Sequence, residues 1–149
     1  MKTLREIMRP GFLVTVQRDA LVTDAVRAMT AHNVGIVAVL DGDRLSGVFS
    51  ERDVVRRVVD RGLDVASTAV ADVMTTDLVV AGAQDDYQSA MRKMDQANIR
   101  HLPVVHDGRL LSMISIRDLL RLEIRDQGEE LRYLHEYLYQ VLPDSPLPD

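Results

Sequence analysis

The 149-residue chain has no cysteine, which removes disulfides, thiolate-ligated zinc and cysteine nucleophiles from consideration together. It also lacks any apolar run of the eighteen or so residues that a membrane span needs, and its opening Met1–Met8 (MKTLREIM) has no apolar signal-peptide core. The expectation is a cytoplasmic protein with no membrane attachment. A basic surplus is missing too: 18 Lys and Arg stand against 23 Asp and Glu, a net charge of -5. That balance argues against a nucleic-acid surface, which relies on clustered cations, and leaves room only for a local basic pocket. His32, His101, His106 and His135 show no short metal-ligand spacing. Ser50 and Asp53 have no histidine tied to them that could activate the hydroxyl. With no nucleophile, base or metal cluster, the chain reads as a protein without enzymatic activity.

What it does contain is a repetition. Ala25, Arg27, Met29, Asn33, Val39, Arg44, Leu45, Ser50, Arg52 and Asp53 recur 65 positions later as Ala90, Arg92, Met94, Asn98, Val104, Arg109, Leu110, Ser115, Arg117 and Asp118. Leu4–Met8 (LREIM) likewise matches Val70–Met74 (VADVM), one residue out of step. Two copies of one unit, with 46% apolar residues overall, predict a single module with a shared core and a ligand site where the copies meet.

Within each copy the pattern reads β-α-β-β-α. Phe12–Val16 and Leu78–Val80 are the first strands. Val22, Ala25, Val26 and Met29, like Tyr87, Ala90, Met91 and Met94, recur at helical spacing. Asn33 and Asn98 mark the ends of these helices. Ile36–Leu40 and Leu102–Val105 are buried strands, joined through Asp41-Gly42 and Asp107-Gly108 turns to Leu45–Phe49 and Leu110–Ile114. A second helix follows, with Val54, Val55, Val58 and Val59 in one copy and Leu119, Leu120 and Ile124 in the other. The boundaries are 1–62 and 70–124 for the repeats, with 63–69 as linker. Residues 125–142 form an added amphipathic helix whose stripe is Leu131, Leu134, Leu138 and Val141, and 143–149 a loose tail. The stripe either covers its own module or forms a dimer contact.

The motif with chemistry is Ser-x-Arg-Asp, at Ser50–Asp53 and again at Ser115–Asp118. It puts a hydroxyl at a helix start and a carboxylate three residues inside. Capping alone explains one such tetrapeptide, since Ser accepts a backbone N–H and the acid complements the macrodipole. Retention of Ser, Arg and Asp while Glu51 becomes Ile116 exceeds what capping requires. A helix N-terminus suits a phosphate, and an ionised Asp accepts from both hydroxyls of a ribose.

With these motifs, with Ile99–Val105 (IRHLPVV) and with Gly47–Asp53 and Ser112–Asp118, the chain resembles a tandem pair of CBS domains. The CBS domain is named after cystathionine β-synthase, and the pair is called a Bateman module, here of the stand-alone bacterial type. The resemblance implies an α+β fold of two β-α-β-β-α repeats packed with pseudo-twofold symmetry, plus a C-terminal amphipathic helix. It also implies a regulatory ligand, an adenine nucleotide, with AMP ahead of NAD or ATP, and no catalytic cofactor. Carried over by position, Asp118 and Asp53 would hold ribose beside Ser115 and Ser50, with Arg117 and Arg52 near enough to reach across. Val14, Val16, Ile36 and Val37, and in the second copy Val80, Leu102 and Pro103, would flank the base, while Arg100 and His101 would reach phosphate. Gly35 and Ile36 replace Arg100 and His101 in the first copy, so the Asp118 site is the better candidate for a phosphorylated ligand. Ser112 replaces Gly47, adding a side chain placed to narrow the approach. The function expected is a homodimeric sensor that signals to an effector protein. The alternative is a ligand-free dimerisation adaptor.

Overall fold

The computed structural model describes residues 2–8, 13–128 and 134–136. The chain order is α1 (Leu4–Ile7), β1 (Thr15–Gln17), α2 (Val22–His32), β2 (Ile36–Asp41), β3 (Arg44–Ser50) and α3 (Glu51–Asp53), which widens into a π-helix over Val54–Val59. A 3-10 turn at Val70–Asp72 leads to β4 (Ala81–Gly82), α4 (Tyr87–Ala97), β5 (His101–His106), β6 (Arg109–Ser115) and α5 (Ile116–Gln127). The strands line up as β1-β2-β3-β6-β5-β4, with the halves meeting at the pair Arg44↔Arg109. Each of these arginines holds the opposite hairpin: Arg44 donates to the Asp107 carbonyl at 3.2 Å, and Arg109 pairs with Asp43 at 3.0 Å. No helix among the described residues is long and apolar enough to cross a membrane.

Local chemistry explains the repetition of shape. Asn33 and Asn98 both leave their helices in the left-handed region, at φ 52° and 53°, where Asn is tolerated because its short amide bonds locally. The two hairpins differ in detail. Asp107 and Gly108 both have positive φ, 50° and 79°, whereas in the first copy only Gly42 does, at 66°. The loop residues there are Gly42-Asp43 and here Asp107-Gly108, so the glycine has moved from the first loop position to the second. The first sign pattern is that of a II′ turn and the second that of a I′ turn, and both suit the twist of a two-residue hairpin.

The core falls into two clusters, and each borrows from the other repeat. Val70, Val73 and Met74 pack with Val22, Ala25, Val37, Val39, Phe49 and Val58. Leu4 packs with Tyr87, Met94, Leu102, Val104, Ile114 and Leu119, with Ile7 and Met8 against it. Backbone bonds fix the exchange: Leu4 N–H donates to the Asp85 carbonyl and Val70 N–H to that of Ala20, both at 2.8 Å. The lead-in of each repeat is therefore a structural part of its partner.

Several elements differ from the sequence expectation. The first strands form later, at Thr15–Gln17 and Ala81–Gly82, because the parallel ladder to β2 and β5 starts at Thr15↔Ala38 and Ala81↔Val104; Leu78–Val80 forms no strand, and Phe12 lies outside the described residues. The π-helix carries Val58 into the core but leaves Val55 60% and Val59 63% exposed, so half of the expected apolar face points to solvent. Helix α5 continues to Gln127 and stops at Gly128, whose φ is 60°. Of the expected C-terminal stripe only Leu134 falls in the described residues, in a helical stretch and 50% exposed; Leu131, Leu138, Val141 and the tail 143–149 lie outside them.

Candidate functional site

A cleft of about 480 Å³ opens over the N-terminal turn of α5, a volume within the range of small-ligand sites. The second repeat contributes Arg100, His101, Met113, Ser115, Ile116, Arg117, Asp118 and Arg121. The opposite wall is apolar and comes from the first repeat: Leu13, Val14, Val34, Gly35 and Ile36, with Asn33 at its edge. Both copies thus build one cleft, as the repeat implies.

Ser115 caps α5, its hydroxyl accepting the Asp118 N–H at 3.1 Å. Asp118 is exposed and accepts only a long bond, 3.4 Å, from the Ser115 N–H; no other group among the described residues pairs with its carboxylate. A carboxylate with acceptor capacity to spare is left facing the cleft. Around it stand Arg100, Arg117 and Arg121, none paired with a carboxylate among the described residues. On a chain of net charge -5, three guanidiniums against one carboxylate make a local basic pocket, the arrangement that attracts a phosphate. His101 is half-buried. Burial disfavours its charged form and, although Asp118 opposes this, Arg100 adds to it, so its pKa lies below the ordinary 6.5. Near neutral pH it presents an uncharged imidazole.

The Asp53 position is built differently. Asp53 is only 8% exposed. Its carboxylate accepts from the Ser50 N–H at 3.0 Å and hydroxyl at 3.1 Å and from the Thr75 hydroxyl at 3.2 Å. Arg57 Nε stands 3.5 Å from Oδ1, and the same guanidinium donates to the Met74 carbonyl at 2.8 Å. Thr75 reaches this spot by pairing with Val48, N–H to carbonyl in both directions at 2.8 and 3.0 Å. Gly47 makes room: a Cβ there would lie 2.7 Å from Met74 Sδ and 2.8 Å from the Thr75 carbonyl.

Of the residues expected to form the site, the structure brings together Asp118, Ser115, Arg117, Arg100, His101, Val14 and Ile36. The others lie elsewhere. Leu102 is fully buried in the core of the second repeat and Pro103 is buried in β5 opposite Met113. Val80 precedes the edge strand β4, where Lys93 holds its carbonyl at 3.1 Å. Val37 is fully buried and Val16 packs against that same core. Ser50 and Asp53 bond one another, and Arg52 is exposed outside the cleft. The reason is that the apolar walls cross over: the first copy's Val14 and Ile36 serve the second copy's Asp118. Ser112, 4% exposed, does not line this cleft but borders an adjoining opening with Ile7, Met8 and Arg125, which shares Met113, Asp118 and Arg121 with it. Arg121 was not foreseen, though its place one turn beyond Asp118, and four residues after Arg117, gives it that helix face.

A duplicated β-α-β-β-α unit with a ligand-sized cleft between its copies defines a domain-pair module. The CBS domain family model matches residues 4–60 and 70–125, and the chain belongs to that family as a tandem CBS pair. Pairs of this family are regulatory modules rather than catalysts. The mitochondrial CBS domain-containing protein CBSX3 of Arabidopsis thaliana is 38% identical over 125 residues, which is 80% of this chain and 61% of that protein. The chain therefore spans less than two thirds of that relative. A CBS-domain protein from Burkholderia ambifaria MC40-6 is similar in structure, with TM-score 0.77 at 32% identity, covering 85% of this chain and 97% of the other. CBSX2, solved in complex with AMP, shares the fold at TM-score 0.72 and 24% identity, covering 85% and 99%.

Proposed function

We propose that this CBS pair is a sensor that binds an adenine nucleotide in the cleft over Asp118, with AMP ahead of NAD or ATP. The observation that carries the reading is the exposed Asp118 carboxylate, held only by a long capping bond at a serine-capped helix start, among three arginines that pair with no carboxylate among the described residues. The carboxylate fits the two ribose hydroxyls, the arginines and helix N-terminus fit phosphate, and Val14 with Ile36 fits the face of a base. The AMP held by CBSX2 supports this at the level of fold. Because the cleft takes one wall from each repeat, ligand favours whichever arrangement of the repeats closes on it, and an effector partner reads that arrangement. Exposed Val55 and Val59 suit a homodimer contact.

Calorimetry with AMP tests the reading. Asp118→Asn should weaken binding about tenfold or more, the loss of a charge-assisted bond worth about 1.5–3 kcal/mol. An unchanged Kd overturns the site. Absence of any thermal shift with AMP, NAD or ATP overturns the sensor reading and turns attention to a ligand-free adaptor, because a ligand specific to the folded state must raise stability.

A further inference from the structure

Asp53 has the same place at a serine-capped helix start as Asp118, where the repeat would build a first cleft, but its chemistry is already satisfied from within. Thr75 places a hydroxyl on the Asp53 carboxylate where a ribose hydroxyl would donate, at 3.2 and 3.4 Å to the two oxygens. Arg57 supplies a positive charge at the same oxygen, Oδ1, and its bond to the Met74 carbonyl ties the incoming segment down. At the matching place in the second copy stands Leu122, which can neither pair with Asp118 nor hold a carbonyl. The residues beside the two helix starts differ as well. Glu51 Oε2 lies 3.2 Å from where a Cβ on Gly35 would stand, whereas the second copy has Arg100 at the Gly35 position and Ile116 at the Glu51 position.

We infer that the chain occupies its own first cleft: Thr75 and Arg57 act as an internal substitute for ligand on Asp53, so each chain takes a single nucleotide, at Asp118. This rests on the nucleotide reading of the Asp118 cleft only for the count of ligand; the closure of the Asp53 cleft stands on the contacts above. Closure also gives the two repeats unequal roles. One is held in its liganded arrangement permanently, and the other responds to concentration.

Two measurements separate this from the reading it rests on. Calorimetry with AMP counts sites on the wild type and on Asp118→Asn. Carbodiimide labelling with an amine, read by mass spectrometry, measures how reactive each carboxylate is without any nucleotide. The expected results are one site per chain, lost in Asp118→Asn, and labelling of Asp53 far slower than that of Asp118. In the double variant Arg57→Leu, Thr75→Val, Asp53 labelling should rise several-fold. Two sites in the wild type, or one site that survives Asp118→Asn, overturns the closed cleft, as does labelling of Asp53 as fast as Asp118. If AMP gives no binding while Asp53 stays protected and the double variant releases it, the nucleotide reading falls and the internal closure is upheld. A double variant that labels no faster overturns the assignment to Arg57 and Thr75; should it fail to fold, Thr75→Val alone, which keeps the Arg57 clamp, carries the same comparison.

Discussion

Asp53 and Asp118 stand at the same place in two copies of one unit, each three residues beyond a capping serine, and their surroundings give them different work. Around Asp53 the chain supplies a hydroxyl, a guanidinium and a buried setting. Around Asp118 it supplies a long capping bond and an open cleft with three arginines that pair with no carboxylate among the described residues. The lesson is that duplication sets backbone geometry, while a few substitutions decide whether a carboxylate is bonded within the fold or left facing a cleft. Arg57 against Leu122, Gly47 against Ser112, and Gly35 against Arg100 account for most of the divergence.

The comparison predicts unequal costs. Asp53→Ala should be the most damaging change, destabilising by about 3 kcal/mol, since it removes the buried capping carboxylate and leaves the partly exposed Arg57 guanidinium and the half-buried Thr75 hydroxyl without their acceptor. Asp118→Ala should cost less than about 1 kcal/mol, the loss of a weak capping contact on an exposed turn. Urea denaturation measures both, and equal costs would break the contrast. Gly47→Ala comes next, at about 2 kcal/mol, because its methyl meets Met74 and the Thr75 backbone; Ser112→Gly in the second copy should stay well below that. The smallest effect sharpens the electrostatic side. His101 has a lowered pKa in the fold, so as pH falls from above 6.5 through its folded value the unfolded chain binds the more protons and stability declines. His101→Gln should flatten that part of the stability-pH curve, and an unchanged curve would show that the imidazole is not held neutral by burial.

Much of this was legible in the order of residues. The helix-ending Asn33 and Asn98 and the two hairpins follow from local conformational preference, which acts within a few residues and so survives in any pattern. The Ser115–Asp118 motif was legible for the same reason. What could not be read were contacts made across the duplication. Val14 and Ile36 read as residues that flank a base, but nothing local says that they face the other copy's carboxylate, Asp118. Leu102 and Pro103 have the apolar character of a base-stacking residue and of a core residue alike, and only packing distinguishes the two. Arg57 reads as an ordinary helix-surface charge until Met74 is brought beneath it by the lead-in of the other repeat. Arg121 was hidden in the same way, as one more charge on an amphipathic helix.

That exchange of lead-ins has a consequence for how the molecule holds together. Leu4 completes the core of the second half and Val70 that of the first, so the monomer is in effect a domain-swapped dimer whose two protomers have been joined end to end. Neither half owns all the side chains of its own interior. Cutting the chain between repeats would leave two fragments that recover their missing arms only from each other, and pulling either arm away loosens the opposite half first. Contacts between residues so far apart in sequence also make the last arm to dock a late event in folding, because the long loop between must close before its burial is gained.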